Sequence, residues 1–238
     1  MKFDLHIHTA RSHDSKAALA AIAKSAKEKG IDGIAICDHN EFYEGPIPKD
    51  LILLRGCEYS TPFGHLLGIG MERKVENTDF PQLIEQIHSA GGIAILAHPY
   101  EHLKYAEKLD EIASLLDGVE IFNARATRKN KAANEQAFAF ARKHQLPIFA
   151  GSDAHTPSEV GRGYIEIESL AQLKEGGLAA FGCPSPSFAA AKSQWVALAK
   201  KKAPFWKYLR WMAFAAKCIA EDILRKQERK NVAYRKNW

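Results

Sequence analysis

"MKFDLHIHTARSHD", residues 1–14, opens the chain on an alternating run that stops in a polar cluster. Phe3, Leu5 and Ile7 alternate with Asp4, His6 and His8, which is the period of a β-strand. His6 and His8 stand two apart, so a strand points both imidazoles to the same side. A single histidine near a strand end is usually a hydrogen-bonded structural or surface residue. What matters is whether the pattern recurs.

It recurs along most of the chain. "IDGIAICDHN" (31–40), "LILLRGCEYS" (51–60), "HLLGIG" (65–70), "IAILAHP" (93–99), "GVEIFN" (118–123) and "PIFAGSDAH" (147–155) are short apolar runs with polar residues beside them, and "GYIEI" (163–167) reads as a further strand. Helical patterns fall between them: "AALAAIAKSAKEKG", ending at Gly30, then 80–90, 105–116 and 129–144. Strands alternating with helices, several of them apolar throughout, predict a mostly parallel sheet covered by helices. His6, His8, Asp38, His39, Glu58, His98, Asn123, Asp153 and His155 sit at or just past the C-terminal ends of six runs. In a β/α barrel those ends converge on one face, where active sites are built. A doubly wound sheet would gather only some of them, so the expectation is a closed or nearly closed barrel. Asp38 and Asp153 also have the residue type that caps turns.

Clustered imidazoles and carboxylates suit Zn, Mn or Fe, and there are more of them than one ion needs. Two or three divalent ions are expected. Neighbouring ions activate water and offset charge on phosphoryl oxygens.

"DLHIHT", "CDHN", "GCEYS", "LAHP" and "GSDAH", in this order, resemble the motifs of the PHP (polymerase and histidinol phosphatase) domain family, across residues 4–155. The resemblance implies a distorted (β/α)7 barrel, a trinuclear metal centre and phosphoesterase activity. His6 and His8 match the family's opening ligand pair, His39 its second-motif histidine, Glu58 the metal-bridging glutamate, His98 the histidine before proline, and Asp153 and His155 the closing pair. The ligand after the first pair falls on His13 or Asp14, and Asp14 is preferred. Asn123 stands where many members have histidine or cysteine. An amide oxygen is a weak ligand, so one metal position is expected to be loosely held.

The expected reaction is hydrolysis of a phosphomonoester or small phosphodiester by metal-activated water. Asp153 or His155 would position or deprotonate that water, and His65 or His98 would assist the leaving group. Arg162, Arg125, Arg128 and Arg11 are the candidates for holding phosphate, because arginine presents a rigid donor fork. No separate lid-sized insertion precedes Asp153, which fits an open mouth and a small phosphorylated substrate.

Of the 238 residues, 46% are hydrophobic and 26% charged, as in soluble globular proteins. The four cysteines are spread apart, which disfavours a disulfide framework and fits a reducing, cytoplasmic setting. The opening residues are too polar for a secretory signal, and no run has the apolar length of a membrane span. The net charge of +5 is unevenly placed: residues 192–238 hold 13 Lys or Arg against 3 acids. The expected division is a barrel at 1–190 and a basic, aromatic-rich helical tail at 191–238. Residues 205–227 have helical periodicity, with Phe205, Tyr208, Leu209, Met212, Ala216 and Ile219 or Ala220 on an apolar stripe. Packing of this stripe on the barrel is the default. An anionic membrane surface, a nucleic-acid backbone and a dimer contact are the other uses that fit, and no feature selects an oligomeric state. Two rival functions remain: a nuclease using the tail to hold DNA or RNA, and a non-catalytic, metal-stabilised binding module.

Overall fold

A computed structural model describes residues 1–76, 79–224 and 230–238. Its strands are β1 (Lys2–Ile7), β2 (Gly33–Ile36), β3 (Ile52–Thr61), β4 (Gly64–Ile69), β5 (Ile93–Ala97), β6 (Gly118–Asn123), β7 (Ile148–Gly151), β8 (Gly163–Glu166), β9 (Ala179–Gly182) and β10 (Val232–Arg235). The α-helices are α1 (Leu19–Glu28), α2 (Phe80–Ser89), α3 (Leu109–Ile112), α4 (Ala133–His144), α5 (Ser187–Lys200) and α6 (Phe205–Leu224). One sheet runs β10-β9-β8-β1-β2-β3-β4-β5-β6-β7 and curls on itself. At the upper end it closes: Ile7 bridges Ala154 in parallel, and the His8 amide donates to the Ala154 carbonyl at 2.9 Å. At the lower end β8 pairs with Lys2 and Phe3 instead, antiparallel. The result is a distorted seven-stranded barrel with a three-stranded skirt and C-terminal helices.

The sheet is less uniformly parallel than the alternation of elements implies. β4 runs antiparallel to both β3 and β5. Its ladder to β3 starts at Thr61 and Gly64, which leaves Pro62 and Phe63 as the whole connection. A parallel crossover needs a dozen residues or more, so two residues can make only a hairpin. The reversal has a functional consequence: β4 begins, rather than ends, at the upper face, and His65 therefore arrives there from a strand start.

Most of the core is one cluster containing Phe3, Leu5, Leu66, Ile95, Ile121 and Phe149. A second cluster seats Ile22 and Ala26 of α1 on Ile7, Ile34 and Ile36. α2 begins where the Asp79 carboxylate accepts from the Gln82 amide, a side-chain N-cap. The stretch expected as a helix at 105–116 is mostly 3-10 turns around the short α3.

The tail differs from its expected packing. α6 lies on α5 through Trp211, Phe214, Ala215 and Cys218, against Ala191 and Phe188. The small Ala215, Cys218 and Ala191 permit that close approach, and the Trp211 indole donates to the Ala191 carbonyl at 2.7 Å. The expected stripe therefore faces outward: Phe205, Leu209, Met212 and Ile219 are exposed. Residues 225–227 of the expected helix lie outside the described residues. The chain then returns as β10, a strand on β9 where only helix was anticipated. Among the described residues no helix is long and apolar enough to cross a membrane.

Candidate metal centre

The upper rim of the barrel gathers His6 and His8 from β1, His39 after β2, Glu58 from β3, His65 from β4, His98 after β5, and Asp153 and His155 after β7. Among the described residues, five overlapping groups have ligand atoms all within 4.8 Å of one another: His8–His39–His155, His6–His8–Glu58, His6–His98–Asp153, His13–Asp14–His39 and Glu58–His65–His98. Glu58 sits at the middle, 1% exposed. Its Oε1 faces His65 Nδ1 (2.7 Å), His98 Nε2 (3.1 Å) and His6 Nε2 (3.5 Å). Its Oε2 faces His39 Nδ1 (2.6 Å) and His8 Nε2 (3.6 Å). Asp153 Oδ1 lies 3.2 Å from His8 Nε2, and Asp14 Oδ2 lies 3.0 Å from His155 Nε2.

Three of the imidazoles spend Nδ1 on the surrounding protein and turn Nε2 inward. His6 Nδ1 meets Glu120 at 3.0 Å, His8 Nδ1 meets the Ser12 hydroxyl at 2.9 Å, and His155 Nδ1 meets the Asp153 carbonyl at 2.8 Å. Such outer partners fix ring orientation in metal sites. The Nε2 atoms of His6 and His8 consequently face each other at 3.2 Å. Asp14 Oδ1, Glu58 Oε2 and His65 Nδ1 are buried without an aligned hydrogen bond. Lone pairs aimed into one space, with buried oxygens left over, are what a cation satisfies, so these residues fit divalent ions.

The electrostatics agree. Burial pushes His6 down, but Glu120, Asp153 and Glu58 outweigh it and hold the ring well above its ordinary pKa. Burial also lowers His39 and His98. The Glu58 carboxylate with Asp14 nevertheless lifts His39 to about 10, and Glu58 with Glu101 lifts His98 to about 9. His8 stands well below its usual value, through burial and the neighbouring His155 and His39. Burial opposes ionisation of Glu58, Asp153 and Asp14, yet the surrounding imidazoles keep all three below the carboxylate range. The carboxylates thus favour the protonated forms of His6, His39 and His98 but not of His8, and protons on ligand rings are what metal ligation displaces.

The backbone is bent to serve the cup. His98 and Asp153 have φ of 28° and 53°, left-handed conformations that non-glycine residues rarely adopt. Asp38 is a structural clamp: its carboxylate accepts from the Thr9 amide and hydroxyl (2.7 and 2.6 Å) and from the Ser12 hydroxyl (2.8 Å). Asp4 accepts from the Ser152 and Gly161 amides at 2.9 and 2.7 Å, and burial pushes its pKa up to about 6 against those bonds.

Sequence reasoning missed Glu120, inside "GVEIFN". It is 1% exposed and holds His6 Nδ1, the His98 amide (2.9 Å) and the Asn123 side-chain amide (3.0 Å). A lone charge within an apolar run was the available signal. Glu101 was also missed, 3.5 Å from His98 Nδ1 and bound to Lys129 at 2.9 Å.

Other expected residues are placed differently. Asn123 does not offer its carbonyl oxygen to the cup: both lone pairs are taken by the amides of Arg125 (2.9 Å) and Ala126 (3.0 Å). Asp14 and His13 both adjoin His39, with Asp14 the more enclosed. The four arginines each have a contact of their own. Arg125 binds Glu159 and α5. Arg11 pairs with Glu41 at 3.1 Å. Arg128 stacks over Phe214 and lines a cavity of about 240 Å3. Arg162 donates to the Pro184 carbonyl at 3.1 Å and lines a cavity of about 590 Å3 beside Lys29. At the rim itself, Lys200 of α5 donates to the Ala10 and Ser12 carbonyls at 2.7 and 2.6 Å.

A barrel with this cup has the lining of a metal-binding site, and known proteins share its fold. A family pattern described as PHP-associated matches residues 131–175. An uncharacterized protein of Methanocaldococcus jannaschii is 30% identical over 178 residues, 71% of this chain and 72% of that one. A 5′-3′ exoribonuclease of Haemophilus influenzae is 36% identical over 123 residues, 48% of this chain and 44% of that enzyme. Among solved structures, a two-domain Bacteroides vulgatus protein described as containing a predicted PHP-like metal-dependent phosphoesterase has the same fold. Its TM-score is 0.58 at 16% identity, over 76% of this chain and 64% of that one. The chain belongs to the PHP family, and its clustered histidines and carboxylates are of the kind that hold divalent ions.

Proposed function

We propose that the substrate is a phosphomonoester or a small phosphodiester, and that the cup holds two divalent ions firmly and a third loosely, drawn from Mn, Fe and Zn. The division of Glu58 carries this reading. Its two oxygens face separate ligand sets, His6, His65 and His98 on one side and His8 and His39 on the other. One carboxylate between two sets of donors suits neighbouring ions. Bound there, divalent cations would acidify a water molecule and offset charge on the phosphoryl oxygens.

The chain's own groups supply the remainder. Asp153 and His155 stand over the shared space, where they orient the water and take its proton. His65 and His98 line a side cavity of about 90 Å3 with His102, Lys104 and Tyr105. That notch suits the leaving group, with an imidazole at its mouth to return a proton. Replacing Asp153 by Ala should abolish turnover of aryl phosphates and diesters with Mn, Fe or Zn supplied, while circular dichroism stays native. Retained turnover would overturn the assignment. Anomalous scattering from loaded crystals counts and identifies the ions.

A second reading, cleavage of RNA, is favoured by the likeness to the Haemophilus exoribonuclease. A 5′-phosphorylated oligoribonucleotide should then be preferred over a mononucleotide, with a steep salt dependence.

A further inference from the structure

The exposed large apolar side chains concentrate on α6. Phe205, Leu209, Met212, Ile219 and Ile223 recur at helical spacing on a face that α5 does not cover; Phe205 is 76% exposed, Met212 60% and Ile223 72%. Apolar residues scattered singly on a surface are ordinary, but a continuous stripe along a whole helix marks an interaction surface. Lys207, Arg210 and Lys217 are exposed on the same helix, and Lys200, Lys201 and Lys202 precede it. Its two acids are engaged: Glu221 pairs with Lys217 at 3.9 Å, and Asp222 accepts from the Ser187 and Phe188 amides at the start of α5.

From this arrangement we propose that α6 seats on an anionic phospholipid surface. It would lie in the plane of the interface, with its apolar stripe among the acyl chains and its cations on headgroup phosphates. An apolar stripe on one face of a helix, with lysine and arginine on another, is the pattern of an interfacial helix. Charge complementarity selects this occupant over a second copy, since residues 192–238 carry a net +10 and two such tails repel. The stripe is mainly aliphatic, whereas a nucleic acid calls for cations and stacking rings at the centre of the contact.

Full-length protein is sedimented with vesicles of phosphatidylcholine, alone or mixed equally with phosphatidylglycerol. It should pellet with the mixed vesicles only, and less so as salt rises. Leu209→Glu with Met212→Glu, and separately Lys207→Glu with Arg210→Glu, should each weaken that partition by roughly tenfold or more. Circular dichroism and hydrolysis of a soluble aryl phosphate should be unchanged in both variants. Equal pelleting with the two vesicle types, or none, overturns the proposal. So does a dimer that Leu209→Glu with Met212→Glu converts to monomer, or an RNA oligomer that the wild type binds and this variant does not.

Discussion

The Arg125 guanidinium forks onto both carboxylate oxygens of Glu159, at 2.8 and 3.1 Å. Glu159 also accepts from the His155 amide at 3.3 Å, while Arg125 reaches Ser193 of α5 at 2.9 Å. One buried ion pair therefore ties a loop of the metal cup to the C-terminal helices. Breaking such a pair leaves a buried charge alone, so Glu159→Ala should cost roughly 3–5 kcal/mol in denaturant unfolding. Replacing both partners by apolar residues, Arg125→Met with Glu159→Leu, should recover most of that loss.

Glu120 orients the cup without facing its centre. Glu120→Gln keeps the size of the side chain but weakens its hold on His6 and on the His98 amide. Metal affinity should fall by about 10–100-fold, the usual effect of losing an outer partner. Competition with a chromophoric chelator measures it.

Gly151 carries a close contact that no side chain fits. A Cβ there would lie 2.3 Å from His6 Cβ and 2.7 Å from Glu120 Oε1. Gly151→Ala should therefore push β7 from β1, destabilise the protein by about 1–3 kcal/mol and lower metal content after dialysis.

Removing the ions should cost stability as well as activity. Ions that bind the folded cup and not the unfolded chain add their binding free energy to folding, so chelation should lower the melting temperature. Adding back Mn, Fe or Zn should restore both melting temperature and turnover, the most effective ion being the best candidate for the native one.

Tyr234 of β10 gives an alkaline signature. Burial and then the Glu135 carboxylate push its pKa up to about 12 from 10.0. The folded state therefore keeps a proton that the unfolded chain releases, and stability falls as pH rises from about 10 to about 12. Urea midpoints across that window should slope less steeply in Tyr234→Phe than in the wild type.

The convergence of distant histidines was legible because it rests on two strong periodicities. Strand alternation put His6 and His8 on one side, and the barrel brought strand ends together. Glu120 was passed over because a charge inside an apolar run shows no partner until the barrel brings His6 of β1 and the His98 amide after β5 to β6. The arginines were chosen for their position after strands, but a long side chain goes where a carboxylate or carbonyl waits, and for Arg125 that was Glu159. The reversed β4 could have been read from the two residues between its runs. The outward stripe of α6 could not: periodicity identifies an apolar face without saying which neighbour, if any, covers it. Here the smaller face of Ala215 and Cys218 allowed closer packing and took the contact.

The bridge between Ile7 and Ala154 also sets an order of assembly during synthesis. Ser15 holds the carbonyl of His155, 140 positions later, so the first and last sides of the rim meet only when both exist. A nascent chain emerging from the ribosome offers at most part of the ion-binding set until the segment after β7 is free. Ions captured earlier would have to be held by incomplete donor sets, and tight loading therefore belongs to the end of translation of the barrel.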